Sequence, residues 1–303
     1  MPPPFRVRLE RPWHDKEVQF DDMILSTRLP LEQADALLCD FVPTANLYRA
    51  KVPAAWYCCE PVSTPRGHRT TPRVLVARIR LPPHRILHHA HTDPRYRVPA
   101  LASRDDLFFA DADRRQARAA AIVSFAGKPG LRWDALRQRN AMLLAEHVDL
   151  YGNERVWSQY KHAPWSRAYK LPNFRGPLPG TWGSRQKLAL LAQYHATVCM
   201  ENTSEPYYFT EKFVDAVLAG CVPIYHAHPT VRDTLLAGAN WVDPADFDFD
   251  PSRTIEHALR QDRDAWSATN RRWLQNEVVR STTWSAIMRR ACEILRAQVP
   301  AVD

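Results

Sequence analysis

The chain has 303 residues, 45% hydrophobic and 24% charged, which supplies a core for one large α/β unit or for two domains of about 120–180 residues and excludes a disordered, collagen-like or coiled-coil protein. Nine Gly against 25 Pro and ten Trp describe stiff corners and large apolar anchors rather than a flexible Gly-rich linker. The net charge of +8 comes mostly from scattered Arg, since only seven of the 41 basic residues are Lys, and it suits phosphate esters, nucleic acid or an anionic membrane face without choosing among them.

The opening MPPPFRVRLERPWHDKEVQF lacks an apolar signal core, and apolar stretches such as Ala119 to Val123 and Val214 to Val222 are far shorter than the roughly 18 residues of a membrane span. The expectation is a cytoplasmic, soluble protein whose charge allows peripheral association with an anionic membrane. Cys39, Cys58, Cys59, Cys199, Cys221 and Cys292 form no CxxC pair, which predicts buried thiols rather than a disulfide framework.

In chain order, a strand is predicted at Phe5 to Leu9, a helix at Leu31 to Leu38 and a strand at Ala54 to Cys58. A Pro/His/Arg-rich stretch follows from Pro61 to Pro99, in which Val74 to Ile79 reads as a strand. The polar segment Arg104 to Arg118 leads into a second region, so the expected division is 1–118 and 119–303. That region opens with a buried-type strand at Ala121 to Phe125, broken by Gly127-Lys128-Pro129-Gly130. A helix from Trp133 to Glu146 and a strand from Val148 to Tyr151 complete a right-handed βαβ unit. Lys187 to Gln193 reads as helix and Ala196 to Met200 as strand. A polar loop from Glu201 to Phe209 leads to a helix at Glu211 to Ala219, capped by Thr210 and stopped by Gly220, and then to a strand at Val222 to Tyr225. Helices near Thr254 to Leu259, Asp262 to Val279 and Trp284 to Gln298 are expected to pack on this second sheet.

In open parallel sheets, ligands sit beyond the carboxyl ends of the strands, where helix N-termini offer free N–H groups. The segment from Met200 to Lys212, MENTSEPYYFTEK, occupies that location. It gathers carboxylates, an amide, phenols and one ammonium, the mixture that a nucleotide sugar requires. A Glu–Lys pair opening a helix is also ordinary first-turn chemistry, with the Lys solvated, so composition leaves both readings open.

The stretch from Lys187 to Phe247, with ENTSEPYYFTEKFVDAVLAGCVPIYHAHPTV at its centre, resembles the donor-binding motif of glycosyltransferase family 10, the α-1,3/1,4-fucosyltransferases. The spacing from Asn202 to Glu211 and Lys212 fits that pattern. Val148-Asp149-Leu150-Tyr151-Gly152 is similar to a V-D-x-Y-G strand of the family, and Tyr57-Cys58-Cys59-Glu60-Pro61 resembles its first-domain acidic turn. The likeness spans about 100 residues of the second region and is weak in the first.

The resemblance implies a GT-B architecture, two Rossmann-like domains facing across a cleft, with an acceptor-side domain first and a donor-binding domain second. It implies inverting transfer of fucose or a related deoxysugar from a GDP-sugar to a glycan hydroxyl. In that scheme Glu211 holds the ribose, Lys212 the diphosphate, and Asn202 and Tyr208 the sugar-phosphate end. An Arg of the preceding helix assists the diphosphate; Arg137 and Arg139 are both candidates, and since they point about 200° apart only one can face the cleft. Such a transfer needs a base for the acceptor proton and positive charge for the leaving diphosphate. Glu60, at the end of the apolar run Ala54 to Tyr57, is the candidate base; Glu201 is a lesser candidate that could instead order the loop, and Thr210 a further donor-side candidate.

Asp111-Ala112-Asp113 and Asp246-Phe247-Asp248 spell the D-x-D of metal-dependent transferases but lie outside the motif, so no metal or cofactor is expected. The cluster His88, His89 and His91 lacks ligand partners beyond Asp93 and is read as part of an acceptor-side loop. Trp157, Trp165 and Trp182 are read as anchors of core or loop. Two rivals stand beside the enzyme: a catalytically inactive nucleotide-sugar or glycan-binding relative, and a nucleic-acid-binding module, against which the even spread of Arg argues.

Overall fold

The computed structural model describes residues 3–10, 17–40, 46, 50–58, 86–89, 108–112, 115–123, 133–152, 173–180, 184–202, 204, 208–280 and 283–297, with backbone alone at 40, 55–58, 86–89, 123, 133–137, 277–278 and 284. The chain divides into two units, residues 1–98 with 284–303 and residues 99–283. Glu60, the Val74 to Ile79 strand, His91, Asp113 and the three Trp named above lie outside the described residues.

In the first unit, β1 (Phe5–Glu10), β2 (Glu17–Phe20), β3 (Met23–Ser26), β4 (Ala36–Asp40), β5 (Ala54–Cys58) and β6 (Ile86–His89) form a sheet in the order β2-β3-β1-β4-β5-β6. Only the β2–β3 pairing is antiparallel. His88 and His89 fall on β6. The helix predicted at Leu31 to Leu38 is instead a single 3₁₀ turn, Leu31–Gln33, followed by β4. Ala36, Leu37, Leu38 and Cys39 are each 0% exposed. Consecutive residues buried on both sides of the chain are the mark of a central strand in a covered parallel sheet, and here β1 and β5 flank it.

In the second unit, β7 (Gln116–Val123), β8 (Val148–Gly152), β9 (Phe174–Pro177), β10 (Tyr194–Val198) and β11 (Val222–Ile224) form a wholly parallel sheet in the order β11-β10-β7-β8-β9. The helices of this unit are α1 (Trp133–Leu143), α2 (Arg185–Leu191), α3 (Glu211–Leu218), α4 (Pro229–Arg232), α5 (Pro251–Leu259), α6 (Arg263–Trp273) and α7 (Glu277–Arg280). Alternation along the strands, shifted in β10 by an irregularity between Tyr194 and Ala196, divides the core between two faces. Ala119, Ala121, Val148, Leu150, Ala196 and Val198 pack with Met142 and Leu143 of α1 and with Ile255 and Ala258 of α5. Ala120, Tyr194 and Cys199 pack on the opposite face with Leu188 and Leu191 of α2 and the apolar body of α3. Both expected βαβ units, β7-α1-β8 and β10-α3-β11, are present.

Two boundaries differ from the expected division at 118. Phe108 and Phe109 pack against the second unit's core, Ala110 N–H donates to Leu218 O at 2.9 Å, and Arg271 stacks over Phe109, so the chain joins this unit well before β7. The last helix, Trp284–Arg296, packs on β4 of the first unit rather than on the second sheet. Its buried Ile287, Met288, Ala291, Cys292 and Leu295 form one apolar stripe, and Arg289 and Arg296 pair with Asp21 and Asp22 at 2.6 Å. Cys39, Cys199, Cys221 and Cys292 are buried.

Candidate nucleotide-sugar site

In the second sheet β7 and β10 are neighbours, yet their connections depart in opposite directions: β7 leads through α1 to β8, and β10 leads through α3 to β11. A crevice opens at such a switch point beyond the carboxyl ends of the two strands, because no crossover covers it. A pocket lies there. Ile122 of β7, Thr197 and Val198 of β10, and Cys199 and Met200 just beyond form its apolar wall, and Arg139, Lys187, Lys212 and Asp215 bring its charges.

Lys212, in the first turn of α3, donates to Glu201 Oε2 at 2.8 Å and to Thr210 Oγ1 at 2.9 Å, and stands 3.7 Å from Glu211 Oε1. The other Glu201 oxygen accepts from Thr210 N at 2.8 Å and Thr210 Oγ1 at 2.6 Å, with Tyr225 OH at 3.4 Å. Thr210 thus occupies the N-cap position but does not cap through its side chain, as had been expected. Its hydroxyl donates to the buried Glu201 carboxylate and accepts from the Lys212 ammonium, a charged donor in place of a backbone N–H. Glu201 therefore orders the loop and fixes Lys212.

On the opposite wall Arg139 is buried, 5% exposed, and donates to Asn202 Oδ1 at 2.7 Å. Arg139 lines the pocket, and the side chain of the other Arg candidate, Arg137, lies outside the described residues. Burial lowers the Arg139 pKa to about 10, with Glu201 and Tyr208 partly offsetting it. Burial works against the Lys212 ammonium as well, but Glu201 and Glu211 outweigh it and hold its pKa above the ordinary lysine value. Burial raises the Glu211 carboxyl, and Lys212 and Lys187 overcome that and bring it down to about 2. The Glu211 side chain is 40% exposed and Tyr208 is buried at the end of the loop.

Arg139, Asn202, Glu201, Tyr208, Thr210, Glu211 and Lys212 are thus brought to one end of one sheet. Sequence reasoning missed Lys187, Asp215 and Tyr225. A signal existed for Asp215: a carboxylate within Phe213-Val214-Asp215-Ala216-Val217-Leu218, all buried, must have a partner. Of the D-x-D candidates, Asp111 pairs with Arg115 at 3.0 Å and the Asp248 side chain is 97% exposed on the left-handed residue that ends a 3₁₀ turn.

No protein-family profile and no curated protein matches the chain. Among solved structures, a UDP-forming α,α-trehalose-phosphate synthase from Burkholderia xenovorans is similar over 90% of this chain and 77% of its own, at 12% identity and a TM-score of 0.52. An α1,3-fucosyltransferase is similar over 97% of this chain and 91% of its own, at 14% identity and a TM-score of 0.44. The α1,3-fucosyltransferase solved with GDP-fucose is covered to 94% by the whole of this chain, at 16% identity and a TM-score of 0.40. Identities this low speak of fold alone. Together with two α/β units built on parallel sheets, the synthase likeness gives the chain a fold of the GT-B type.

Proposed function

We propose that the protein is an inverting glycosyltransferase that moves fucose, or a closely related deoxysugar, from a GDP-sugar to a hydroxyl of a glycan acceptor. The observation that carries this reading is Arg139: a guanidinium only 5% exposed whose described hydrogen bond goes to a neutral amide, in a pocket shared with Lys212 at the sheet's switch point. A cation withdrawn from water calls for a counter-anion, and a diphosphate supplies one. As the glycosidic bond breaks, negative charge grows on the departing diphosphate, where Arg139 and Lys212 stabilise it in place of a metal ion. Glu211 accepts the ribose hydroxyls, and Asn202 and Tyr208 orient the sugar-phosphate end. Glu60 takes the acceptor's proton as the new bond forms on the opposite face of the sugar.

The test is a donor screen with GDP-fucose, GDP-mannose and UDP-sugars, following nucleotide release and binding heat. GDP-fucose is expected to turn over with a suitable glycan, and Lys212→Ala to lower kcat/KM by about 10²–10³-fold. Preference for a UDP donor would overturn the donor assignment. GDP-sugar binding without turnover by any acceptor would favour a binding protein instead.

A further inference from the structure

The switch-point pocket holds a second charged pair with no part in the scheme above. Lys187, in the first turn of α2, places its Nζ 2.6 Å from Asp215 Oδ2 on α3, and the two side chains are 3% and 1% exposed. Both line the pocket beside Arg139 and Lys212. An ion pair taken wholly out of water stabilises a fold poorly, since desolvation cancels most of the attraction and an apolar pair of similar volume packs at least as well. Asp215 also interrupts an otherwise apolar helix face. Packing therefore does not account for the pair, and its position on the pocket wall points to the ligand.

Charge matching gives the role. Three of the described residues lining the pocket, Arg139, Lys187 and Lys212, are cations and Asp215 is a carboxylate, while Glu201 at 2.8 Å and Glu211 at 3.7 Å also stand against Lys212. A nucleoside-diphosphate sugar brings about two negative charges, which three cations on one wall attract more strongly than Arg139 and Lys212 alone. We infer that Lys187 is a third cation of the diphosphate site, held at the pocket wall by Asp215, which both positions its ammonium and restrains its pull on the ligand. The inference rests on the nucleotide-sugar reading of this pocket. The reach of that ammonium is already visible at the pocket mouth, where Lys187 joins Lys212 in drawing down the Glu211 carboxyl against the effect of burial.

Opposite-signed variants test it. Removing the cation with Lys187→Met is expected to weaken GDP binding about tenfold, while Asp215→Asn, which keeps shape and an acceptor for the ammonium but relieves its restraint, is expected to tighten binding about threefold. Titration calorimetry with GDP, UDP and GMP on wild type and both variants reads this, and both changes should be larger for the diphosphate than for GMP. A purely structural pair would weaken binding in both variants and alike for every nucleotide. That outcome, or wild-type affinity in both, overturns the inference alone. Should Lys187→Met not fold, Asp215→Asn decides: GDP binding no tighter than wild type overturns it. Wild-type protein that binds neither GDP nor UDP overturns the nucleotide-sugar reading, and the role of Lys187 with it.

Discussion

Both oxygens of Glu201 are engaged within the protein. One accepts from the backbone and hydroxyl of Thr210, the other from Lys212, and Tyr225 closes the set. These bonds make the residue the clasp of the β10–α3 loop. Replacing it by Gln keeps the size but leaves a largely buried ammonium without its anion, so Glu201→Gln is expected to lose about 2–4 kcal/mol of stability in denaturant melts and to weaken GDP binding. At this scale the sequence was most informative where a motif packs unlike polar groups into a short span: Asn202, Glu211 and Lys212 could be read directly from it. Lys187 could not, because a Lys in a first helical turn reads as solvated unless its partner is known, and Asp215 lies 28 positions further on. Arg137 and Arg139 were inseparable by spacing, and of the two only Arg139 has a described side chain, which lines the pocket.

At the level of elements, what the local pattern could decide was decided correctly. The end of α3 illustrates this. Gly220 has φ of +64°, with Gly220 N–H donating to Val217 O and Cys221 N–H to Ala216 O, both at 2.9 Å, the paired bonds of a Schellman stop. A Cβ here would adopt a disfavoured left-handed conformation and approach Arg115 NH2 and Ser267 Oγ at 3.3 Å. Gly220→Ala should therefore lower unfolding stability by about 1–2 kcal/mol, measurable by chemical denaturation. Asp250 and Asp262 cap α5 and α6 by accepting from Arg253 N and Ala265 N. The failures have equally local causes. Leu-Leu-Cys in β4 suits a buried helix and a buried strand alike, and only its place between β1 and β5 settles the matter. β9, Phe-Arg-Gly-Pro, carries strand-breaking residues that an edge strand tolerates, and it gave no signal.

For the whole molecule, the repeated strand–helix–strand order made the second α/β unit legible and the family resemblance implied the first, whereas their borders were not legible. Composition shifts near 118 because the polar segment ends there, but the aromatic pair Phe108 and Phe109 already belongs to the second core. An amphipathic stripe such as that of the last helix announces that it will be covered without saying by which sheet. Its five buried residues give the first unit an apolar cover that contributes about 5–10 kcal/mol, comparable to the entire stability of a domain. Removing residues 284–303 is accordingly expected to unfold the first unit while the second still melts cooperatively, visible in calorimetry as the loss of one transition. No helix among the described residues is long and apolar enough to cross a membrane.

That helix also sets a timetable. Its 13 residues are translated after the whole of the second unit, whose chain is continuous from 99 to 283. On the ribosome the later-encoded half can therefore finish first, and the earlier-encoded strands must wait, uncovered, until the final stretch emerges, reversing the usual amino-to-carboxyl order of maturation. For that interval β4 lacks the cover of the last helix, which makes the nascent first half the natural client of a chaperone.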